Sequence, residues 1–267
     1  MFNLTNASVA IGGKMLLSSL TTSFEAGEVT AIIGPNGAGK STLMKLLSGE
    51  LRPSTGRILL DGRDLAAFRP RDLALRRAVL AQSNALSFSY TAFEVVRLGL
   101  EARRSAGIRS VYDDPREALA AVDLAGFESR AVHELSGGEM QRVHLARVLS
   151  QIGAATGPDG ARFLLLDEPI ASLDIRHQVM VMEVARRFAA TGGGVIVVLH
   201  DLNMAAGFAD RLVVLDRGRL AGDGPPGDVL TAERLAEVFR IGLAVERSQN
   251  GELSIRYRPG EQPSGTA

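Results

Sequence analysis

Three short runs of aliphatic residues constrain the fold of this chain most strongly. They are VTAII (residues 29–33), FLLL (163–166) and VIVVL (195–199), and none alternates apolar with polar residues. A strand that is apolar on both faces must be covered on both faces, as in a parallel sheet flanked by helices. A glycine-rich turn and a helical pattern over Lys40–Ser48 follow the first run. We therefore predict an α/β fold with a parallel-sheet core.

Two regions depart from this pattern. Residues 2–30 contain short strand-like pieces separated by glycines, which predicts an N-terminal antiparallel β subdomain. Segments 93–104 and 115–127 show helical spacing, which predicts an inserted α-helical subdomain. We predict a single domain over 1–257, with a core at 1–85 and 160–240 and a helical subdomain at about 86–159. The Pro- and Gly-rich residues 258–267 are expected to be disordered.

Composition narrows the possible functions. Thirty basic residues balance thirty acidic ones, so the chain lacks the surplus of positive charge that is typical of nucleic-acid-binding proteins. No nucleic-acid partner is therefore expected. The absence of cysteine excludes disulfides and thiolate metal sites and suits a reducing compartment. The first residues lack a signal-peptide pattern, and no apolar run is long enough to cross a bilayer. If the protein works at a membrane, we expect another chain to span it.

The sequence GPNGAGKS over residues 34–41 fits the phosphate-binding pattern G-x-x-x-x-G-K-[ST]. Its glycines let backbone N–H groups point inward around an anion, and the following helix adds its positive end. Lys40 is expected to contact the outer phosphates, and the Ser41 hydroxyl to bind Mg²⁺. The alternative is a glycine-rich turn with an exposed lysine. The predicted nucleotide contacts here are Gly34, Pro35, Asn36, Gly37, Ala38, Gly39, Lys40, Ser41 and Thr42.

Polar residues follow the other two aliphatic runs. Asp167 and Glu168 end the second run, and His200 ends the third. Ligands collect beyond the carboxyl ends of parallel strands, so Asp167 is predicted to bind Mg²⁺ and Glu168 to orient the attacking water. His200 is predicted to reach the γ-phosphate and hold that geometry. Taken alone, the acids could simply face solvent, and the histidine could be structural.

The segment LSGGEMQRVHLARVL (135–149) resembles the signature of ATP-binding cassette (ABC) proteins. The order of phosphate loop, Gln82, signature, acidic pair and histidine also resembles that family over nearly the whole chain. LSGGE could also be a helix cap formed by Ser136 and Glu139. The resemblance implies an ABC ATPase fold that binds ATP and Mg²⁺, with catalytic residues Lys40, Glu168 and His200.

The resemblance also implies how the protein assembles. Ser136, Gly137 and Gly138 would complete the ATP site of a partner subunit in a head-to-tail homodimer, with Asp174 at the dimer contact. Gln82 would touch Mg²⁺. Two transmembrane permease subunits would carry the dimer at the cytoplasmic face of the bacterial inner membrane, and a periplasmic substrate-binding protein would act indirectly. Many relatives place an aromatic residue against adenine where this chain has Ile11.

The cargo is indicated by two variable segments. The stretch after Gln82 resembles the ATPases of importers for iron chelates, cobalamin and heme. The long spacer at 150–162 resembles the hemin-import branch. We therefore predict hemin import, with ferric siderophore import, cobalamin import or a non-transport ABC ATPase as alternatives. A small-molecule kinase would leave LSGGEMQR unexplained.

Overall fold

The buried aliphatic runs form the centre of a six-stranded sheet in a computed structural model that describes residues 1–82, 90–104 and 111–257. The strand order is β12-β11-β3-β10-β9-β6. All neighbours pair in parallel except β12, which runs antiparallel at one edge. The strands are β3 (Val29–Ile33), β6 (Arg77–Leu80), β9 (Phe163–Asp167), β10 (Gly194–Val198), β11 (Arg211–Asp216) and β12 (Arg219–Gly224). The predicted parallel core is confirmed.

A second sheet is antiparallel, with order β2-β1-β4-β5. Its strands are β1 (Phe2–Ile11), β2 (Lys14–Phe24), β4 (Thr55–Leu60) and β5 (Arg63–Asp64). The first two strands agree with the predicted N-terminal hairpin, whereas β4 and β5 join it from beyond the first helix. Phe2 of this sheet packs edge-on against Phe163 of the parallel sheet, with ring centroids 4.9 Å apart. A shared apolar core therefore fixes the two sheets against each other.

Helices cover the parallel sheet and fill the predicted insertion. They are α1 (Lys40–Ser48), α2 (Pro70–Arg76), α3 (Ala92–Arg104), α4 (Pro115–Ala120), α5 (Gly137–Ile152), α6 (Ile175–Ala190), α7 (Leu202–Phe208), α8 (Pro226–Val229) and α9 (Ala232–Phe239). The helical prediction over 115–127 was wrong beyond Ala120. Asp123 and Gly126 have φ values of 59° and 86°, so the chain turns there instead of continuing the helix.

The segment between β6 and β9 contains α3 and α4, which overlap the two segments of predicted helical spacing, and α5, which begins in the signature segment. Gly99 allows the close approach of α3 to α5, because a Cβ atom there would collide with the carbonyl oxygen of Arg147. The predicted division into core and helical subdomain stays a prediction. The predicted disordered tail at 258–267 lies outside the described residues, as does much of the importer-like stretch after Gln82.

Two small hairpins complete the fold. The spacer before β9 forms one of them, with β7 (Thr156–Gly157) and β8 (Gly160–Ala161). The other lies near the C-terminus, with β13 (Leu243–Arg247) and β14 (Leu253–Tyr257). Asn203 of α7 holds this second hairpin, because its amide donates to the carbonyl oxygen of Ile255 and accepts from the N–H group of the same residue. Within the part of the chain that the structure describes, no helix could span a membrane.

Candidate nucleotide site

The predicted site residues follow the ends of four neighbouring strands and lie at one edge of the sheet. The phosphate-binding loop follows β3, His200 follows β10, Glu168 follows β9 and Gln82 follows β6. These strands are consecutive in the order β3-β10-β9-β6 and run parallel. Parallel strands end at the same edge, so residues distant in sequence meet there.

The loop between β3 and α1 requires its glycines. Gly34 has φ 147°, and a Cβ atom there would collide with the carbonyl oxygen of Leu215. Gly39 has φ 104° and precedes α1, where a Cβ atom would lie 2.7 Å from Leu17 Cδ2. The N-cap of α1 is Gly39, which has no side chain to accept from the first N–H groups of the helix. Those N–H groups are therefore able to bind an anion.

Lys40 lies in the centre of this loop and is only 6% exposed. Its ammonium donates to the carbonyl oxygen of Gly34 at 2.8 Å and to that of Pro35 at 3.1 Å. Burial lowers the pKa of Lys40, while the nearby carboxylates of Glu168 and Asp167 act in the opposite direction. The Lys40 ammonium supplies a positive charge that attracts an anionic ligand above the loop, and the two carboxylates oppose this attraction.

Glu168 has an unusual backbone conformation. Its φ of 52° lies in the left-handed region, which costs free energy for a non-glycine residue. His200 Nε2 lies 2.6 Å from one carboxylate oxygen, and the Gln82 amide donates to the other at 2.9 Å. The strand ends on either side of β9 therefore hold this carboxylate from both sides.

Asp167 is buried next to Glu168. It is 9% exposed, and its Oδ1 atom has no hydrogen-bond partner among the described residues. Burial raises the pKa of Asp167, and repulsion from Glu168 adds to the increase, while Lys40 and His200 oppose it. An unpaired buried carboxylate oxygen fits a cation ligand. No cluster of three His, Asp or Glu side chains within residues 1–82, 90–104 and 111–257 could hold a metal ion alone.

The signature segment begins α5. The Ser136 hydroxyl accepts from the N–H group of Glu139, and the Glu139 carboxylate accepts from the N–H group of Ser136, which is a complete capping box. A Cβ atom on Gly138 would lie 3.0 Å from the carbonyl oxygen of Ser172, so only glycine lets the helix tip approach this loop without a shift. The helix-cap interpretation of LSGGE is confirmed, and it leaves the glycines at the helix tip.

Gln141 is a site residue that the sequence reasoning missed. Its amide donates to the backbone carbonyl oxygen of Glu168 at 3.2 Å. Gln141 lies four residues after Gly137 on α5, so the two share one face of the helix. This four-residue spacing could have indicated from the sequence that Gln141 lies on the same side of the helix as the signature glycines. The contact places the signature helix directly against the loop that carries Glu168.

Asp174 lies at the other end of that loop. It caps α6, because its carboxylate accepts from the N–H group of His177 at 2.9 Å. Hydrogen bonds from the backbone and side chain of His177 lower the pKa of Asp174. The predicted residues thus form two neighbouring groups, one around the phosphate-binding loop and one around the start of α5. The loop at 168–174 connects them.

Comparison with known proteins gives consistent matches. Residues 17–171 match the sequence model of the family described as ABC transporter. The hemin import ATP-binding protein HmuV of Rhizobium meliloti (strain 1021) is 50% identical over 92% of this chain and 93% of that protein. The protein of the same name from Mesorhizobium japonicum is 49% identical over 92% and 93%. A solved ATP binding subunit of an ABC transporter has a TM-score of 0.74 at 26% identity, covering 85% of this chain and 91% of that chain.

Proposed function

The chain belongs to the ABC transporter family, and from this we propose that it is the ATP-hydrolysing subunit of a hemin importer. The predicted ABC ATPase fold and ATP hydrolysis coupled to transport are confirmed by the family match and the structural neighbour. Hemin as cargo is supported by the two HmuV relatives, which align over nearly their whole length.

ATP is expected to bind with its triphosphate on the loop from Gly34 to Thr42. The N–H groups of the loop and the first turn of α1 would surround the β-phosphate. The Lys40 ammonium would exchange its contacts with the Gly34 and Pro35 carbonyl oxygens for phosphate oxygens. Ile11 is 53% exposed and offers the adenine an aliphatic contact rather than a stacked ring.

Mg²⁺ fits the donors near this loop. The unpaired buried Oδ1 of Asp167, the exposed Ser41 hydroxyl and the Gln82 side chain are oxygen donors suited to a hard cation. When bound, Mg²⁺ would neutralise charge on the β- and γ-phosphates. Because the carboxylate cluster alone is too small to hold a metal, the nucleotide itself would supply further ligands.

One observation carries the proposed hydrolytic role: the Glu168 carboxylate is held on both sides by His200 and Gln82 at the end of β9. A fixed carboxylate beside a bound γ-phosphate can orient a water molecule for in-line attack and accept its proton. His200, being half-exposed, is able to contact the γ-phosphate on its free side. The strained φ of Glu168 supports this proposal, because strain of this kind gathers at functional sites.

A second copy of the chain is proposed to complete the site. Ser136, Gly137 and Gly138 form an N-terminal helix tip, which suits a phosphate. Gly137 and Gly138 lie next to Ser172, in the loop before Asp174. In a head-to-tail homodimer each tip would face the partner's ATP. The dimer would attach to two transmembrane permease subunits at the cytoplasmic face of the inner membrane, with a periplasmic binding protein delivering cargo.

Reconstitution tests the cargo. The chain is co-purified with its permease subunits, placed in liposomes, and its ATPase rate is measured with binding protein loaded with hemin, a ferric siderophore or cobalamin. We expect stimulation by hemin alone. A complex carrying Glu168→Gln serves as the control for hydrolysis by other proteins. Stimulation by a siderophore or cobalamin without hemin would refute hemin import and support the corresponding alternative.

A further inference from the structure

His177 connects two carboxylates that belong to different parts of the fold. Its Nδ1 atom lies 2.8 Å from Asp174 Oδ1, and its Nε2 atom lies 3.3 Å from Asp123 Oδ2. Asp174 caps α6 at the end of the loop that follows Glu168, whereas Asp123 lies between α4 and α5. The His177 side chain is only 17% exposed, so the ring lies between the two elements rather than in solvent.

Asp123 is held from a second direction. Its Oδ2 atom also lies 2.9 Å from Arg176 Nη2, so two neighbouring residues of α6 contact one carboxylate oxygen. The buried Arg142 of α5 donates to the backbone carbonyl oxygens of Val122 and Asp123. Asp123 therefore joins α6 through its side chain and α5 through its backbone. Its positive φ turns the chain so that both contacts form.

These contacts reach the signature segment. Helix α5 carries Gly138, which packs on the carbonyl oxygen of Ser172, and Gln141, which donates to the carbonyl oxygen of Glu168. The start of α5 thus touches the same loop that Asp174 ends. His177 adds a second contact between the same two regions, because it links Asp123 in the α4–α5 connection to Asp174 at the end of the loop.

We propose that His177 is a positioning residue for ATP hydrolysis: by joining Asp174 to Asp123, it holds the signature helix in register with the loop that carries Glu168. The proposal rests on the proposed head-to-tail ATPase. The hydrogen-bond partners of His177 are Asp174 and Asp123, and both lie outside the phosphate-binding loop. Its loss would therefore loosen the geometry needed for the chemical step and leave the ATP-binding surface of the same chain intact.

The test compares kcat with ATP affinity in the reconstituted complex. His177→Ala and Asp123→Ala are each expected to lower kcat about tenfold to a hundredfold, since a displacement of about 1 Å in a positioned group can cost about a hundredfold. The KM for ATP, and the affinity of the isolated chain for ATP by calorimetry, should change less than about twofold. His133→Ala is the matched control, because it removes an exposed histidine from the same helical region. It should leave both values unchanged.

A double-mutant cycle separates a shared bridge from two independent effects. If His177 and Asp123 act through one contact, the double variant should lose no more kcat than either single variant. The more conservative Asp123→Asn, which keeps the shape and one oxygen acceptor, should recover part of the rate lost in Asp123→Ala. This recovery keeps the test valid if an alanine variant folds poorly, and thermal unfolding of each variant checks for that.

Three results would overturn the proposal. They are an unchanged kcat in both alanine variants, a loss of ATP affinity equal to the loss of kcat, and losses that multiply in the double variant. Failure of the hemin proposal is distinguished from failure of the His177 proposal, because the His177 test measures ATP turnover by the complex and does not depend on the cargo. A complex that hydrolyses ATP but ignores hemin would refute hemin import and leave the His177 test as designed.

Discussion

We expect His144 to make the stability of this protein sensitive to acid. The residue lies on α5 and is 4% exposed, and neither ring nitrogen has a hydrogen-bond partner among the described residues. Burial, helped by the nearby Arg147, lowers the pKa of His144 from 6.5 to about 4. The fold therefore favours the neutral ring, since a charged one would lie in the core without compensation.

The size of the effect follows from linkage. The folded pKa lies below the unfolded value, so His144 imposes no penalty above about pH 6.5, and stability falls as the pH drops toward 4. Two and a half pKa units correspond to about 3 kcal/mol of lost stability at the acid limit. At pH 5, between the two pKa values, about 2 kcal/mol should already be lost. Either value is a large fraction of the stability of a typical domain.

The perturbation is His144→Leu, which removes the titrating group and keeps an apolar side chain of similar size. Urea unfolding, followed by circular dichroism at a series of pH values, gives the stability of the native chain minus that of the variant. We expect this difference to fall by about 3 kcal/mol between neutral pH and pH 4, because the other acid-sensitive groups are common to both chains and cancel.

A second replacement guards against an effect of side-chain size. His144→Gln also removes the titration but keeps a polar group, so its absolute stability should differ from that of His144→Leu while the pH dependence should match. The reasoning would be refuted if the free energy of unfolding had the same pH dependence, from neutral pH to pH 4, in the native chain and in both variants. That result would mean that the folded protein accepts a proton on His144 as readily as the unfolded chain does.

Three further predictions concern the nucleotide site. Glu168→Gln should lower kcat at least about a hundredfold, because it removes the base, and should trap an ATP-bound dimer in gel filtration. A monomer in the presence of ATP would count against the head-to-tail homodimer. Lys40→Ala should weaken ATP binding about tenfold or more, as expected for a lost charge-assisted contact, with calorimetry as the readout; unchanged affinity would remove Lys40 from this role. Ser136→Arg should block hydrolysis while the isolated chain still binds ATP, and full ATPase activity would show that Ser136 faces no partner phosphate.

The sequence by itself determined the elements whose signals are local. The apolar runs became buried parallel strands, and the helix predicted over Lys40–Ser48 has those bounds in the structure. The phosphate-binding loop was readable for the same reason, because its glycines, its lysine and the following helix act within eight neighbouring residues. The start of α5 was also local, since a capping box needs only Ser136 and Glu139.

Tertiary structure decided whatever depends on pairing between distant segments. The contacts of Glu168 with Gln82 and His200 join positions 86 and 32 residues apart, and they form only because β6, β9 and β10 lie side by side. The left-handed conformation of Glu168 has no local sequence signal. The bridge of His177 to Asp123 forms only when α6 packs beside the α4–α5 connection. Local propensity acts along the chain, whereas these contacts depend on which elements the core brings together.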